Sequence, residues 1–313
     1  MRRPIVAVIA GGRNSEHDVS LASAAGIRRA LSTDYDVLDV RIGRDGSWNI
    51  GGHRALGSAE AVAEIGRADV AFPALHGVNG EDGTVAGFLE TIGVSYVGSG
   101  VVASALAMDK RATKLVAESV GTRTARSYSL DDVRRLRPFP VIVKPVTGGS
   151  SHGVSIAHSA AEVESAIGGA GQGAGVLIEE LIVGREIDVV VLEEADGALS
   201  VAPALEIPRA PGSVFDVAGK YGGDPRFLVP APLTGDELAC VSDAATAIFR
   251  ALGCRGLARV DFFLDDRGFV FNEVNTMPGM TELSQVPAMV AAAGMTYEDF
   301  VCSLVEVARS RLR

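Results

Sequence analysis

The chain has 313 residues, enough for two or three domains of ordinary size and for a large buried core. At 47% hydrophobic and 22% charged it is not a disordered chain, and it has no run of eighteen apolar residues to span a membrane. A formal net charge of −10 argues against a surface built to coat nucleic acid or anionic lipid, while leaving room for a local basic pocket that takes phosphates.

Residues 5–10 form an apolar run behind a basic tip, Arg2-Arg3. A leader peptide can begin this way, but Gly11-Gly12 and polar residues end the run, so it reads as an N-terminal strand. Helical spacing at 19–31 and strand-like alternation at 36–42 follow. A buried run at 69–75 (DVAFPAL) then stops at His76-Gly77. A helix at 83–92 and a strand at 94–97 close this part on Gly98-Ser99-Gly100. Repeated strand, glycine turn and helix is the pattern of a parallel sheet covered on both faces, in which ligands sit beyond the carboxyl ends of the strands. Glu16 and His76 both fall just past such ends.

From residue 101 the character changes. Two helical stretches, 101–108 and 110–119, lead to PFPVIVKP at 138–145, a Gly/Ser loop at 146–153 and a strand at 154–157. A helix at 160–168 precedes GVLIEELI at 175–182. Strand, loop, strand predicts a small sheet domain with a mobile flap. Strands near 189–192 and 199–207, an irregular stretch at 208–232, a helix over 235–252, a hairpin over 256–276 and closing helices complete the chain. An irregular stretch of that length inside a compact domain is usually a functional lid or disordered. The expected class is α/β, with domains at 1–105, 106–193 and 194–313.

Cys240, Cys254 and Cys302 are scattered, with no CxxC pair, as reduced thiols of a cytoplasmic protein would be. Lysine is scarce too: Lys110, Lys114, Lys144 and Lys220 are the four in the chain. A compact ammonium fits between phosphate oxygens where a guanidinium does not. Chance survival at the surface is a fair account of Lys114 and a poorer one of the other three.

The hairpin points to a metal. With a three-residue loop Asp266-Arg267-Gly268, Asp265 faces Phe269, Asp261 faces Glu273 and Arg259 faces Asn275. Alternation then sets Arg259, Asp261, Glu273 and Asn275 on one face. Two carboxylates directly opposite each other repel, and a cation between them removes the penalty. An all-oxygen set of Asp, Glu and Asn suits Mg²⁺, which completes its shell with water and phosphate. The plainer alternative is a solvated polar face on an edge hairpin. Upstream, the glycine-rich loop Gly148-Gly149-Ser150-Ser151-His152-Gly153 follows a strand carrying Lys144, and successive N–H groups of such a loop can cradle phosphate. The chain has no Walker A spacing, and Gly11-Gly12 lacks the G-x-G-x-x-G spacing of a dinucleotide site. Lys220-Tyr221 lies in the long irregular stretch, where a lid could bring a cation onto a γ-phosphate.

Together these motifs resemble the D-alanine–D-alanine ligases of the ATP-grasp superfamily. The blocks are GGRNSEHDVSLAS (11–23), LHGVNGEDGTVAGFLE (75–90), GSGVVASALAMDK (98–110), VIVKPVTGGSSHGVS (141–155), VLIEELIVGREI (176–187), FDVAGKY (215–221), and ARVDFFL with NEVNTMPGMTELS within 258–284. The resemblance implies a three-domain ATP-grasp fold: a Rossmann-like N-terminal domain, and two sheets from the central and C-terminal domains that clamp ATP. It implies that Lys110, Lys144, Glu179, Glu180, Ile182 and Glu186 hold the nucleotide, and that Ser150, Ser151 and Lys220 hold its phosphates. Asp261, Glu273 and Asn275 would bind two Mg²⁺ ions, or Mn²⁺. Glu16 would take the ammonium of the first D-alanine, with Ser150 and Tyr221 joining it in a hydrogen-bonded set that closes the lid. Arg259 and the Gly279 N–H would face the oxyanion, and Ser284 the carboxylate of the second substrate, with His76 and Gln285 lining the substrate pocket. Tyr221 is what peptide-forming members carry, which favours an amine nucleophile. The chain departs from the family at His152, at Glu282-Leu283 and at Gln285, where an apolar residue normally walls the second pocket. Gln285 either favours D-serine or another nucleophile, or points away and leaves specificity unchanged. The implied partners are small molecules (D-alanine and ATP), with no nucleic acid and no membrane, and the implied protein is a cytoplasmic homodimer.

Overall fold

A computed structural model describes residues 2–52, 55–149, 152–169, 175–208 and 227–311. The N-terminal part runs β1 (Ile5–Gly11), α1 (His17–Leu31), β2 (Asp36–Ile42), β3 (Trp48–Ile50), α2 (Ser58–Ile65), β4 (Val70–Pro73) and α3 (Thr84–Thr91). Its sheet has the order β3-β2-β1-β4, with β1 parallel to both β2 and β4 and only the short edge strand β3 antiparallel. β1 is buried along nearly its whole length, as an apolar run sandwiched between helices must be. Gly11 ends it with φ +96°, and a Cβ there would meet the Ile42 carbonyl oxygen at 2.2 Å. The buried Ser20 hydroxyl accepts from Gly11 N at 2.8 Å and donates to Ala74 O at 2.5 Å. The start of α1 is thereby tied across the ends of β1 and β4, which places Glu16 and His76 side by side. The strand expected at 94–97 shrinks to one bridge between Tyr96 and Ala71, because Gly93 and Gly98 turn the chain at either side of it.

The next part comprises α4 (Val101–Met108), α5 (Lys110–Ser119), β5 (Ser127–Tyr128), α6 (Leu130–Leu136), β6 (Val141–Pro145), β7 (Ser155–Ala157), α7 (Ala160–Gly169) and β8 (Val176–Glu180). Its antiparallel sheet has the order β5-β8-β6-β7. α6 was legible but unread: Ser129 and Asp132 form a reciprocal capping box at its start.

The last part holds β9 (Arg185–Glu193), β10 (Leu199–Val201), β11 (Leu205–Ile207), α8 (Gly235–Leu252), β12 (Leu257–Asp265), β13 (Gly268–Asn275), α9 (Gln285–Ala292) and α10 (Tyr297–Ser310). Its sheet runs β10-β9-β12-β13, with β11 also on β9. The strand expected at 199–207 is two strands, interrupted around Pro203. β9 starts at Arg185 rather than near 189, because its first four residues are mostly charged and mask the apolar signal. The expected lid at 208–232 falls mostly outside the described residues.

Two cores tie the parts together. Phe72 and Val97 of the N-terminal part pack with Val190, Met280, Phe300 and Leu304. Ala103, Ala107 and Ala117 of α4 and α5 pack with Phe249, Val260 and Phe271. Residue 106 therefore lies inside a helix that buries itself against the C-terminal sheet. No single described helix is long and apolar enough to cross a membrane.

Candidate active site

The β12–β13 hairpin pairs Arg259 with Asn275 and Asp261 with Glu273, as expected, but by a different route. The turn is the two-residue Asp266-Arg267, so Asp265 faces Gly268 rather than Phe269. A bulge beside Phe262 then restores the register, leaving Asn272 as the extra residue. The bulge reconciles two demands. The two-residue turn alone already sets Phe271 beside Phe262 in the core, but it would send Glu273 and Asn275 there too. The extra residue returns them to the face of Asp261 and Arg259. Phe271 packs edge-on against Phe262 at 6.1 Å between centroids, both fully buried.

β9 lies on the other side of β12, with Asp188 opposite Asp261 and Val190 opposite Arg259. Asp188, Asp261 and Glu273 therefore form one row of carboxylates across three strands, of which sequence reasoning found two. Arg259, in the adjacent row, grips Asp261 with both Nε (2.7 Å to Oδ1) and Nη2 (2.9 Å to Oδ2). Its Nε is 3.5 Å from Asp188 Oδ2. Burial alone would lower the pKa of this guanidinium, but Asp261 and Asp188 more than reverse that and hold it firmly protonated. Asn275 donates Nδ2 to Asp261 Oδ2 at 3.0 Å.

The facing wall comes from the central sheet and α5. Glu179, 2% exposed, accepts Lys144 Nζ at 2.7 Å on one oxygen and Lys114 Nζ on the other. Lys114 also donates to Ala125 O at 2.5 Å and Ser127 Oγ at 2.7 Å. Lys114 is thus a buried ion-pair partner, not a surface survivor. Two lysines bridge the walls: Lys144 Nζ lies 3.2 Å from Asn272 Oδ1, and Lys110 Nζ lies 3.2 Å from Glu273 and donates to Gly148 O at 2.7 Å. Asn272 is the extra residue of the bulge. Of the remaining residues assigned to the nucleotide, Glu180 accepts from Arg126 N at 2.9 Å, Ile182 is buried just after β8, and Glu186 shares the face of β9 with Asp188.

On the N-terminal side, Glu16 stands at the N-cap of α1, and its carboxylate takes no hydrogen bond or ion pair from the described residues. Such a position stabilises negative charge and leaves it available to a cation. His76 is buried, with Nδ1 3.0 Å from Met277 O and Nε2 3.1 Å from Ser23 Oγ. The carbonyl requires the proton on Nδ1, and burial lowers the pKa of the ring, which favours the neutral tautomer with Nε2 accepting from the Ser23 hydroxyl. Nδ1 is thus committed to the loop that leads to Ser284 and Nε2 to α1, whose Ser23 hydroxyl also accepts from Met280 N. Glu81 accepts from Gly77 N at 2.8 Å, and burial raises its pKa to about 7. Sequence reasoning passed over Glu81, although it sits in the quoted block at 75–90. Ser284 is the N-cap of α9, and its Oγ lies 2.7 Å from Thr281 Oγ1 and accepts from Thr281 N at 3.2 Å. Gly279 lies against it: a Cβ at 279 would be 3.1 Å from Ser284 Oγ. Glu282, ion-paired with Arg29, and Leu283, 81% exposed, point outward, as does His152. Ser150, Ser151, Lys220 and Tyr221 lie outside the described residues.

No group of three or more His, Cys, Asp or Glu arranged to hold a metal occurs among the described residues. Asp261, Glu273 and the Asn275 amide oxygen nonetheless suit a hard cation that draws the rest of its shell from water and phosphate. The neighbouring loop suits the phosphate. Gly148 has φ +111°, and a Cβ on Gly148 or Gly149 would meet nothing within 4 Å, so the backbone is open to a ligand.

Comparison with known proteins identifies the family. Residues 5–99 match the family described as "D-ala D-ala ligase N-terminus", and residues 115–306 match "D-ala D-ala ligase C-terminus". A D-alanine–D-alanine ligase of Mycobacterium sp. (strain KMS) is 40% identical over 362 aligned positions, covering 99% of this chain and 97% of that protein. One from Streptomyces avermitilis is 38% identical over 366 positions, covering 99% and 95%. Among solved structures, the VanG D-Ala:D-Ser ligase from Enterococcus faecalis has a TM-score of 0.84 at 28% identity, covering 98% of this chain and all of that one. The D-alanine–D-alanine ligase from Coxiella burnetii has a TM-score of 0.83 at 26% identity, covering 99% and 95%.

Proposed function

This chain belongs to the D-alanine–D-alanine ligase family, and from that membership we propose that it joins two D-alanine molecules, converting ATP to ADP and phosphate, to make a dipeptide precursor of peptidoglycan. It is an ATP-grasp carbon–nitrogen ligase. The observation that carries the reading is the cleft itself, with Arg259, Asp261, Glu273 and Asn275 on one sheet face and Lys110, Lys144 and Glu179 on the wall opposite.

A carboxylate is a poor electrophile because its leaving group would be oxide. Phosphoryl transfer makes the first D-alanine an acylphosphate, the amine of the second attacks it, and the tetrahedral oxyanion collapses with loss of phosphate. In this scheme Glu16 holds the ammonium of the first D-alanine. Arg259 and the Gly279 N–H meet the oxyanion. Ser284, at the start of α9, takes the carboxylate of the second substrate, where the helix N-terminus favours an anion. Lys110, Lys144, Glu179, Glu180, Ile182 and Glu186 hold the nucleotide, with Ser150, Ser151 and Lys220 on its phosphates. Ser150 and Tyr221 close the lid with Glu16, keeping water from the acylphosphate. Two divalent cations, Mg²⁺ or Mn²⁺, held by Asp261, Glu273 and Asn275, would neutralise phosphate charge. We place the reaction in the cytoplasm and the protein in a homodimer.

Phosphate release from Mg·ATP with D-alanine, set against L-alanine, D-serine and D-lactate, tests the reading. D-alanine should be the best substrate, and release with none of the four would overturn it. Best release with D-serine would instead establish the D-serine reading that Gln285 raises. The geometry weighs against that reading, because the Gln285 amide is turned to Arg259 and Asp188 rather than offered to a substrate.

A further inference from the structure

Gln285 opens α9 at the place where an apolar residue was expected to wall the second pocket. Its side chain has another task. Oε1 accepts from Arg259 Nη1 at 2.6 Å, and Nε2 donates to Asp188 Oδ2 at 2.6 Å. That same Asp188 oxygen lies 3.5 Å from Arg259 Nε. Arg259, Gln285 and Asp188 therefore close a ring of polar contacts, and Asp261 grips the guanidinium along its Nε–Nη2 edge.

The ring solves a problem that the carboxylate row creates. A long, flexible arginine beside two buried carboxylates can pair with either, and every proton given to them is lost to an oxyanion. Asp261 takes one edge with ideal side-on geometry. Asp188 would compete for the same cation, but the Gln285 amide supplies it with a neutral donor instead. The same amide offers Nη1 an acceptor, so the guanidinium plane is fixed from two directions. These bonds leave a second proton on each of Nη1 and Nη2. An apolar residue at 285 would remove both constraints at once.

We infer that Asp188 and Gln285 form a positioning pair for Arg259, fixing the plane in which its remaining N–H bonds meet the oxyanion, and that Gln285 is not a selectivity wall of the second-substrate pocket. The inference rests on the proposed ligase reading, in which Arg259 is the oxyanion partner. Neither residue touches substrate; both act through Arg259.

The test measures kcat, the KM for the second D-alanine and the D-serine to D-alanine preference in three variants of the full chain. Gln285→Leu should lower kcat by ~10- to 100-fold, less than losing an oxyanion donor outright, with KM and preference within ~3-fold of the parent. The double variant Asp188→Asn with Gln285→Glu keeps one carboxylate and both hydrogen bonds, with donor and acceptor exchanged. It should return kcat to within ~3-fold of the parent. Retained kcat in Gln285→Leu with altered KM or preference would overturn the inference, as would a folded double variant without turnover. If Gln285→Leu does not fold, the double variant decides alone. Arg259→Met separates the two levels. If it remains active, the oxyanion assignment itself falls; if it is inactive while Gln285→Leu is unimpaired, only the positioning inference falls.

Discussion

Asp188 lies directly opposite Asp261 across β9 and β12, so the hairpin's acidic pair is the end of a row of three carboxylates. Like charges at cross-strand spacing destabilise a sheet, typically by a few tenths to about 1 kcal/mol per pair when partly exposed. The row is held together by Arg259 on Asp261 at its centre and by Lys110, 3.2 Å from Glu273, at one end. Such an arrangement sacrifices stability for chemistry, and that gives the first prediction. Glu273→Gln keeps the shape and removes the charge, so turnover should fall at least ~10²-fold. The melting temperature should stay within a few degrees, because lost repulsion offsets the lost Lys110 pair. Mg·ATP-dependent phosphate release and a thermal melt on one preparation check it. Full activity, with or without added metal, would remove the hairpin from the mechanism.

The legible part of this site was local. Asp261, Glu273, Arg259 and Asn275 sit on two strands joined by a short turn, so alternation alone brings them together. Even there, the sequence reading reached the right pairing through two offsetting errors. It used a turn one residue too long and omitted the bulge at Asn272, which lets Phe271 stay buried against Phe262 while Glu273 faces Asp261. Asp188 was illegible for a different reason. Nothing in a sequence states that β9 lies against β12, and the charged start of β9 hid that the strand reaches back to Arg185. Lys114 was misplaced because helical spacing cannot reveal a carboxylate arriving from β8, 65 residues later in the chain. Of the N-terminal sheet, β1, β2 and β4 were read, since apolar runs ending in glycine turns need no long-range knowledge, while the short edge strand β3 was missed.

Lys114 and Lys144 share the buried Glu179 carboxylate, one on each oxygen. Removing one partner of a buried ion pair typically costs about 3–5 kcal/mol, because a charge is left inadequately compensated. Lys144 remains to hold Glu179 in Lys114→Met, so the expected loss is at the low end, about 3 kcal/mol in urea unfolding. An exposed lysine would give a change within about 0.5 kcal/mol. A loss that small would return Lys114 to the surface.

Gly279 is held tight against Ser284 by the loop between them. In Gly279→Ala the new methyl would lie 3.1 Å from Ser284 Oγ, closer than comfortable contact. The hydroxyl cannot easily retreat, because Thr281 N and Oγ1 both hold it. Ser284 or the Gly279 N–H must therefore move by a few tenths of an ångström. With Ser284 on the carboxylate of the second substrate, KM for that substrate should rise roughly 3- to 10-fold, while KM for ATP stays near its parent value. Initial-rate kinetics with each substrate varied in turn decide it. A KM change confined to ATP would contradict the placement of Ser284.

Glu81 supplies a pH dependence whose sign can be worked out. Burial raises its pKa from 4.5 to about 7, against the Gly77 and Met277 N–H groups and Arg259, which pull it down, while Glu273 adds to the rise. Below pH 4.5 the folded and unfolded chains both hold the proton, and the group contributes nothing to the balance. Between 4.5 and 7 the folded chain keeps a proton that the unfolded chain releases, so stability falls as pH rises through that window. Above 7 the penalty is complete, at about 3 kcal/mol for a shift of this size. Glu81→Gln has no proton to keep, and its amide oxygen can still accept from Gly77 N. In metal-free buffer the variant should therefore gain about 3 kcal/mol on the parent between pH 4.5 and 8, in urea titrations run across that range. Parallel stability curves for the two proteins would mean that Glu81 is already ionised at the lower pH, and that Arg259 rather than burial sets its charge.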